Sequence, residues 1–118
     1  MQILYKNKNL KKICTNIQEA KKKYSGKIPE KLISAINYIS SAPSLNDVIE
    51  HYPFHFHDLK GVGKGLYVID IGGRTSKYRL IFIPKMNDGT ACTNEQIYGS
   101  DAINIEIIQV EEVSNHYE

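Results

Sequence analysis

The hydrophobic pattern of the first quarter of the chain predicts a short strand followed by a helix. Residues 1–5 form an apolar-rich segment of strand length, and Asn7 to Asn9 separate it from the helical segment. Apolar residues then recur at the three-and-four spacing of one helical face, namely Leu10, Ile13, Cys14, Ile17 and Ala20. This spacing predicts one amphipathic helix that ends at Ser25-Gly26.

A second amphipathic helix is predicted after the glycine. Pro29 occupies a first-turn position, where its missing N–H would have been unpaired anyway. The apolar face of this helix consists of Leu32, Ile33, Ile36 and Ile39. Ser44 and Asp47 predict the cap of a short third helix that runs to about Glu50, and Tyr52-Pro53 must leave it. The first two helices are expected to pack as a hairpin.

The remainder of the chain has the pattern of a sheet. Residues 66–71 and 77–83 are rich in β-branched and apolar side chains, with a turn at Gly72-Gly73 between them and Pro84 at the end of the second. Residues 86–101 form a long connection, and residues 103–110 form the last strand. The fold class is therefore α+β in one domain, residues 1–118, with an antiparallel sheet and the helical hairpin packed on one face.

Composition and charge limit the class of protein and the kind of partner that this domain could bind. Its 118 residues, 42% of them hydrophobic, exclude a disordered chain. Residues 1–31 are dense in lysine, whereas residues 86–118 carry acidic side chains and no Lys or Arg, so the net charge of +2 is segregated. A basic face of this kind favours a polyanion such as RNA, with a solvated helix face as the alternative.

The sequence contains no apolar run as long as a membrane span and no secretory signal at its amino terminus. A cytoplasmic protein without a membrane partner is therefore expected. In a reducing cytosol, Cys14 and Cys92 are expected to remain free thiols.

Side chains alternate across a strand, which places Arg79 on the face opposite to Leu80 and Phe82. If the latter two pack on the helices, Arg79 stands on the open face among apolar neighbours, where its charge acts strongly. It could bind a ligand there, or it could pair with an acidic side chain such as Glu106 on the last strand.

A second group of basic side chains precedes the first long strand. His57, Lys60 and Lys64 lie in a segment that Gly61, Gly63 and Gly65 make flexible, and this grouping suits phosphate. No helix follows these glycines, so a nucleotide-binding loop is rejected and a tight turn is expected instead.

The other histidines of this region have plainer interpretations. His55 lies between two phenylalanines and is expected to be packed or partly exposed rather than catalytic. His51, at the end of the short helix, is expected to interact with the helix dipole. No cysteine or carboxylate completes a ligand set with these histidines at metal-binding spacing, so no zinc site is expected.

Three segments together resemble the core of the HigB-like toxins, which belong to the RelE/ParE superfamily. They are His57-Asp58-Leu59-Lys60-Gly61, Gly65-Leu66-Tyr67-Val68-Ile69 and Tyr78-Arg79-Leu80-Ile81-Phe82. The resemblance implies a RelE-like fold and the toxin of a type II toxin–antitoxin system, a ribosome-dependent endoribonuclease that cleaves mRNA (an mRNA interferase). It also implies that no metal or other cofactor is needed, and that a small helix-turn-helix antitoxin of the HigA kind silences the toxin.

The resemblance assigns roles residue by residue. His57 and Lys60 match loop residues at the scissile phosphate, Arg79 matches the strand arginine, and His116 matches a histidine near the carboxyl terminus. His57 and His116 are expected to share the two proton transfers, with either as acid or base, while Lys60 and Arg79 hold the phosphate. Further contacts with RNA are expected from Lys64, Lys77 and Tyr117.

Two questions stay open at this level. A non-catalytic member of the same fold, such as a gyrase-directed toxin of the ParE kind or a simple binding module, has a similar pattern. The connection of residues 86–101 is longer than in short family members and could bind the antitoxin or face the ribosome.

Overall fold

The computed structural model describes residues 1–60 and 65–115, in which four helices follow the first strand and the remaining strands come after them. Its elements are β1 (Gln2–Tyr5), α1 (Lys8–Thr15), α2 (Ile17–Lys23), α3 (Ile28–Ser41), α4 (Leu45–Glu50), β2 (His57–Asp58), β3 (Tyr67–Asp70), β4 (Arg79–Lys85), α5 (Asn94–Ile97) and β5 (Ile107–Ser114). Two 3-10 turns, Tyr52–Phe54 and Ser100–Asn104, precede β2 and β5.

The five strands form a single mixed sheet in the order β1-β5-β4-β3-β2. β2, β3, β4 and β5 pair in antiparallel fashion, whereas β1 runs parallel to β5. The α+β class is therefore confirmed, but the prediction of a wholly antiparallel sheet was wrong. Parallel neighbours need a long crossover between them, and the whole of the intervening chain supplies it here.

The predicted first helix is interrupted at Asn16. The backbone N–H of Asn16 donates to the carbonyl of Lys12 at 3.0 Å and closes α1. Its side-chain oxygen accepts hydrogen bonds from the N–H groups of Gln18 and Glu19 at 2.9 and 3.3 Å and opens α2. Asparagine competes with the helical backbone in this way, so the apolar spacing alone overestimated the helix length.

The other helix boundaries follow the predictions more closely. Pro29 lies in the first turn of α3, and Ser44 is the residue before α4. The Ser44 hydroxyl donates to a carboxylate oxygen of Asp47 at 3.4 Å, and it does not cap a backbone N–H.

The core lies between the helices and one face of the sheet. Leu32 and Ile39 of α3 have no exposed surface, and neither have Leu80 and Phe82 of β4, which confirms the predicted inward face of that strand. Each large apolar side chain buried in this way contributes about 1.5–3 kcal/mol. No helix in the described part of the chain is both long and apolar enough to cross a bilayer.

The sequence predicts that the strand ends before Pro84, but β4 continues to Lys85. The pairing with β3 stops at Phe82, so beyond this point β4 has only β5 as a full neighbour. The carbonyl of Pro84 accepts a hydrogen bond from the N–H of Cys92 at 2.9 Å, on the side away from β5. The missing proline N–H points to that same side, so its absence removes no bond to β5.

The last strand begins later than predicted. Residues 103–106 precede it, and Ile103 lies in a 3-10 turn with 63% of its surface exposed. The strand runs to Ser114 and contains a bulge, because Ile81 pairs with Glu112 while Phe82 pairs with Val110. The extra residue reverses the alternation of β5 beyond the bulge.

The long connection between β4 and β5 is structured. Lys85 and Ala91 form a β-bridge around a tight turn, in which the N–H of Met86 donates to the carbonyl of Thr90 at 2.8 Å. α5 follows with a complete capping box between Thr93 and Gln96. The connection therefore continues the sheet and then packs back toward it.

Candidate functional site

The candidate site begins at the edge of the sheet, in the short strand β2. His57 and Asp58 pair with β3 in antiparallel register, and the N–H of Leu59 extends the pairing by donating to the carbonyl of Leu66 at 2.9 Å. β2 is the last strand of the sheet as described. The His57 side chain is half-buried, so a ligand can reach it from solvent.

One hydrogen bond orients the His57 ring. Its Nδ1 lies 2.8 Å from the carbonyl oxygen of His55. A carbonyl oxygen only accepts, so Nδ1 donates, and in the neutral ring Nε2 carries the lone pair. His57 therefore presents Nε2 as a proton acceptor.

His55 adopts a left-handed backbone conformation immediately before this site. Its φ is 47° and its ψ is 53°, and it is the one non-glycine residue with positive φ in residues 1–60 and 65–115. Such a conformation costs a residue with a side chain roughly 1 kcal/mol. The His55 side chain is partly exposed, as predicted, and its ring centroid lies 4.9 Å from that of His57.

Asp58 ties β2 to the connection between β4 and β5. The hydroxyl of Tyr98 donates to Asp58 Oδ1 at 2.8 Å. Burial of the hydroxyl and this hydrogen bond raise the pKa of Tyr98 above its ordinary value, so Tyr98 stays a neutral donor at physiological pH. Nearby, the Tyr67 hydroxyl donates to Asn94, and the Phe56 ring stacks on Tyr67 with centroids 5.6 Å apart. These contacts fix the backbone that carries His57.

Two of the predicted cations are exposed in the structure. Lys60 lies two residues after β2, and Lys77 lies two residues before β4. The predicted residues Lys64, His116 and Tyr117 lie outside the described residues, and their roles stay predictions.

Arg79 lies on the predicted face of β4, but it is buried rather than open. Only 8% of its surface is exposed. Nε lies 3.0 Å from Asp70 Oδ1, and Nη1 donates to the carbonyls of Ser76 and Tyr78 at 2.6 and 2.9 Å. Nη2 makes no hydrogen bond to any described residue. Two of the three guanidinium nitrogens, Nε and Nη1, are thus engaged by described residues.

The partner of Arg79 is Asp70, which sequence reasoning missed. Glu106, the partner that the sequence suggests, is exposed and lies before β5. Asp70 ends the buried strand β3 and pairs directly with Arg79 in the antiparallel register. An acidic residue at the end of an apolar strand could have indicated an ion-pair partner for Arg79. That inference needs the register between β3 and β4, which the local sequence does not give.

His57 and Arg79 share one face of the sheet. His57 pairs with Val68, which pairs with Ile81, and Arg79 lies two residues before Ile81 on β4. Two strand spacings and two residues separate the Cα atoms of His57 and Arg79 by roughly 12 Å. Val68 and Ile81, between them, are 0% and 2% exposed. This dry surrounding strengthens the charge interactions of the site.

Groups that suit metal or thiol chemistry are missing from the site as described. No set of three His, Cys, Asp or Glu side chains in residues 1–60 and 65–115 could hold a metal ion. Cys14 and Cys92 are free and buried, and burial raises their pKa values to about 12 and about 11. Neither thiol is therefore suited to act as a nucleophile near neutral pH.

Comparison with known proteins adds no assignment. No family model matches the chain, and no curated protein or solved structure matches it. Function must therefore be inferred from the chemistry of the site and from the resemblance of its motifs.

Proposed function

We propose that this protein is the toxin of a type II toxin–antitoxin system, a HigB-like endoribonuclease that cleaves mRNA on the ribosome through the RNA's own 2′-hydroxyl. The observation that carries the proposal is the hydrogen bond between His57 Nδ1 and the His55 carbonyl. It leaves Nε2 to accept a proton at the edge of the sheet, three residues before the exposed Lys60 and on the face that carries Arg79.

His57 acts as the general base in this proposal. Nε2 removes the proton of the 2′-hydroxyl, and the oxygen attacks the adjacent phosphorus. The 5′-oxygen of the next nucleotide leaves with a proton from an acid, for which His116 is the proposed residue. The products are a 2′,3′-cyclic phosphate and a 5′-hydroxyl end, and no metal takes part. General acid–base groups of this kind each accelerate a reaction by about 10²–10⁴-fold.

Lys60 and Arg79 balance the charge that develops on the phosphate. Lys60 is an exposed point charge two residues after β2, whereas Arg79 is held in place by Asp70, and its Nη2 is the proposed donor to the phosphate. A cation fixed before the reaction does not have to reorganise during it, so Arg79 favours the transition state through orientation. Lys64, Lys77 and Tyr117 are proposed to contact the flanking RNA.

The remaining parts of the proposal concern fold type and partners. The mixed sheet with α1, α2 and α3 on one face is compatible with a RelE-like fold. A helix-turn-helix antitoxin is the proposed inhibitor, and the cytoplasm, where ribosomes and mRNA occur together, is the proposed location.

Induced expression in bacteria tests the function. Primer extension on total RNA should reveal new 5′ ends on translated transcripts, and the purified protein should cut the mRNA in a reconstituted ribosome–mRNA complex. The His57→Ala variant should lower the single-turnover cleavage rate by about 10²–10⁴-fold. A 2′-deoxy nucleotide at the cleaved position should abolish cutting there.

Matched variants separate charge from folding. Lys60→Ala should weaken cleavage, whereas Lys8→Ala, which removes another exposed lysine, should not. Because Arg79→Ala leaves Asp70 buried without a partner, the double variant Asp70→Leu with Arg79→Met is the better test of the arginine. Wild-type cleavage by either the His57 or the double variant would contradict the assigned roles.

A non-catalytic binding module of the same fold is the second candidate. The engagement of Arg79 Nε and Nη1 within the protein favours it, since a structural arginine needs no ligand. This alternative predicts that growth inhibition survives His57→Ala and that no new RNA ends appear.

A further inference from the structure

A groove next to the candidate site combines aromatic rings with cations. Two cavities, of about 330 and 190 Å³, have His51 in common in their walls. These two cavities, which meet at His51, are called here the β2 groove, and their walls carry Lys31, Tyr38, His51, Tyr52, His55 and Arg74.

The aromatic rings of the β2 groove differ in how they are held. His51 stacks on Tyr38 with ring centroids 4.1 Å apart and an interplanar angle of 28°, and Phe54 braces both rings edge-on. Tyr52 is 89% exposed, the highest value among the large hydrophobic side chains of the described residues. A tyrosine ring left this open to water contributes nothing to the core, and it offers a face on which a planar group can stack.

The charge of the β2 groove is positive. Lys31 and Arg74 are exposed, and neither forms an ion pair with a described residue. The one carboxylate among the lining residues, Asp70, is buried and paired with Arg79, so it does not offset these cations. Unpaired cations next to open aromatic rings are the combination that binds single-stranded nucleic acid, whose bases stack while its phosphates meet positive charge.

The β2 groove also leads to the candidate site, because the His55 ring lines it and lies 4.9 Å from the His57 ring. We infer that the β2 groove binds single-stranded RNA, with a base stacked on Tyr52 and phosphates at Arg74 and Lys31, and guides the strand to His57. The inference rests on the proposed function for the choice of RNA, but binding by the β2 groove does not require cleavage.

Fluorescence anisotropy with a labelled 2′-O-methyl RNA of about 12 nucleotides tests the inference on the full chain, since such a strand lacks the attacking hydroxyl. Tyr52→Ala should raise the Kd at least about fivefold, and Tyr52→Phe, which keeps the ring, should retain the wild-type Kd. Tyr52 is too exposed for its truncation to unfold the domain.

The salt dependence of binding identifies the phosphate contacts. Arg74→Ala should reduce the slope of log Kd against log salt concentration by about 0.7, the value for one phosphate contact on a single strand. Lys21→Ala is the matched control, because this lysine is exposed on α2 and lies outside the β2 groove. Its salt slope and Kd should equal those of the wild type.

The outcomes separate this inference from the proposed function. Failure to bind the oligonucleotide, an unchanged Kd for Tyr52→Ala, or equal losses for Arg74→Ala and Lys21→Ala would each overturn it; failure to bind would point to a protein partner for the groove. Binding through Tyr52 by a protein that cuts no mRNA would refute the ribonuclease proposal and support the groove. Cleavage of mRNA together with an unchanged Kd for Tyr52→Ala would support the ribonuclease proposal and refute RNA binding by the β2 groove.

Discussion

Removal of the Asp70 carboxylate should destabilise this protein severely. The Asp70 and Arg79 side chains are 1% and 9% exposed, and Oδ1 lies 3.0 Å from Nε. At an effective dielectric constant of about 20, two unit charges at this separation attract by about 5 kcal/mol, which the desolvation of both groups partly offsets. The contact is electrostatic, since neither Asp70 oxygen has a hydrogen-bond partner among the described residues. We expect Asp70→Ala to lower the free energy of unfolding by about 3–5 kcal/mol, because it leaves a buried guanidinium unpaired.

Urea denaturation followed by circular dichroism measures this loss. With a denaturant slope of about 1.5 kcal/mol per molar, the midpoint should fall by roughly 2–3 M. The double variant Asp70→Leu with Arg79→Met removes both charges and should lie within about 2 kcal/mol of the wild type. Glu106→Ala, at the exposed residue that sequence reasoning offered as the partner, should change the stability by less than about 0.5 kcal/mol.

Two results would refute this account of Arg79. A loss below about 1 kcal/mol for Asp70→Ala would mean that the ion pair has little net effect on stability. A double variant as unstable as Asp70→Ala would mean that the loss comes from packing at Asp70 rather than from an unpaired charge.

Three further predictions concern stability. Leu32→Ala empties a fully buried position and should lower the free energy of unfolding by about 2–5 kcal/mol in the same urea titration, whereas exposed Leu4→Ala should lose less than about 1 kcal/mol. Burial raises the pKa of Cys14 from 9.0 to about 12 and that of Tyr24 from 10.0 to about 12. The unfolded chain therefore releases these protons first, and the Tm should fall as the pH rises from about 9 toward 12; a constant Tm across that window would contradict this. Tyr98→Phe removes the hydrogen bond to Asp58, and it should lower the stability by about 0.5–1.5 kcal/mol and speed hydrogen exchange of the β2 amides.

The sequence predicted the parts of the fold that local pattern determines. The apolar spacing of α3 and the alternation of β4 both identified residues that the core buries, such as Leu32 and Phe82. Local pattern could not reveal that β1 pairs with β5, because that contact joins residues about 105 positions apart. It also placed Ile103 in a strand, since an apolar residue in an exposed 3-10 turn has the same local signature.

The candidate site divides in a similar way. His57, Lys60 and Arg79 were predicted from residue type, from order along the chain and from the family resemblance, and the structure puts His57 and Arg79 on one face of the sheet. The hydrogen bond between His57 and the His55 carbonyl was not predictable from the sequence. It depends on a left-handed backbone conformation at His55, and glycine or asparagine, the residues that usually indicate this conformation, is absent at that position. Asp70 was missed since its role appears only when the register of β3 and β4 is known.

The break at Asn16 has a consequence for the dimensions of the molecule. A continuous helix from Lys8 to Lys23 would be roughly 24 Å long, and the two shorter extents of the domain are 25 Å each. A rod of that length would nearly equal the width of the protein. One amide side chain instead divides it into two segments that both contact α3. Asn16 therefore lets a lysine-rich stretch change direction, and Leu10, Ile13, Cys14 and Ala20 of its two segments are buried.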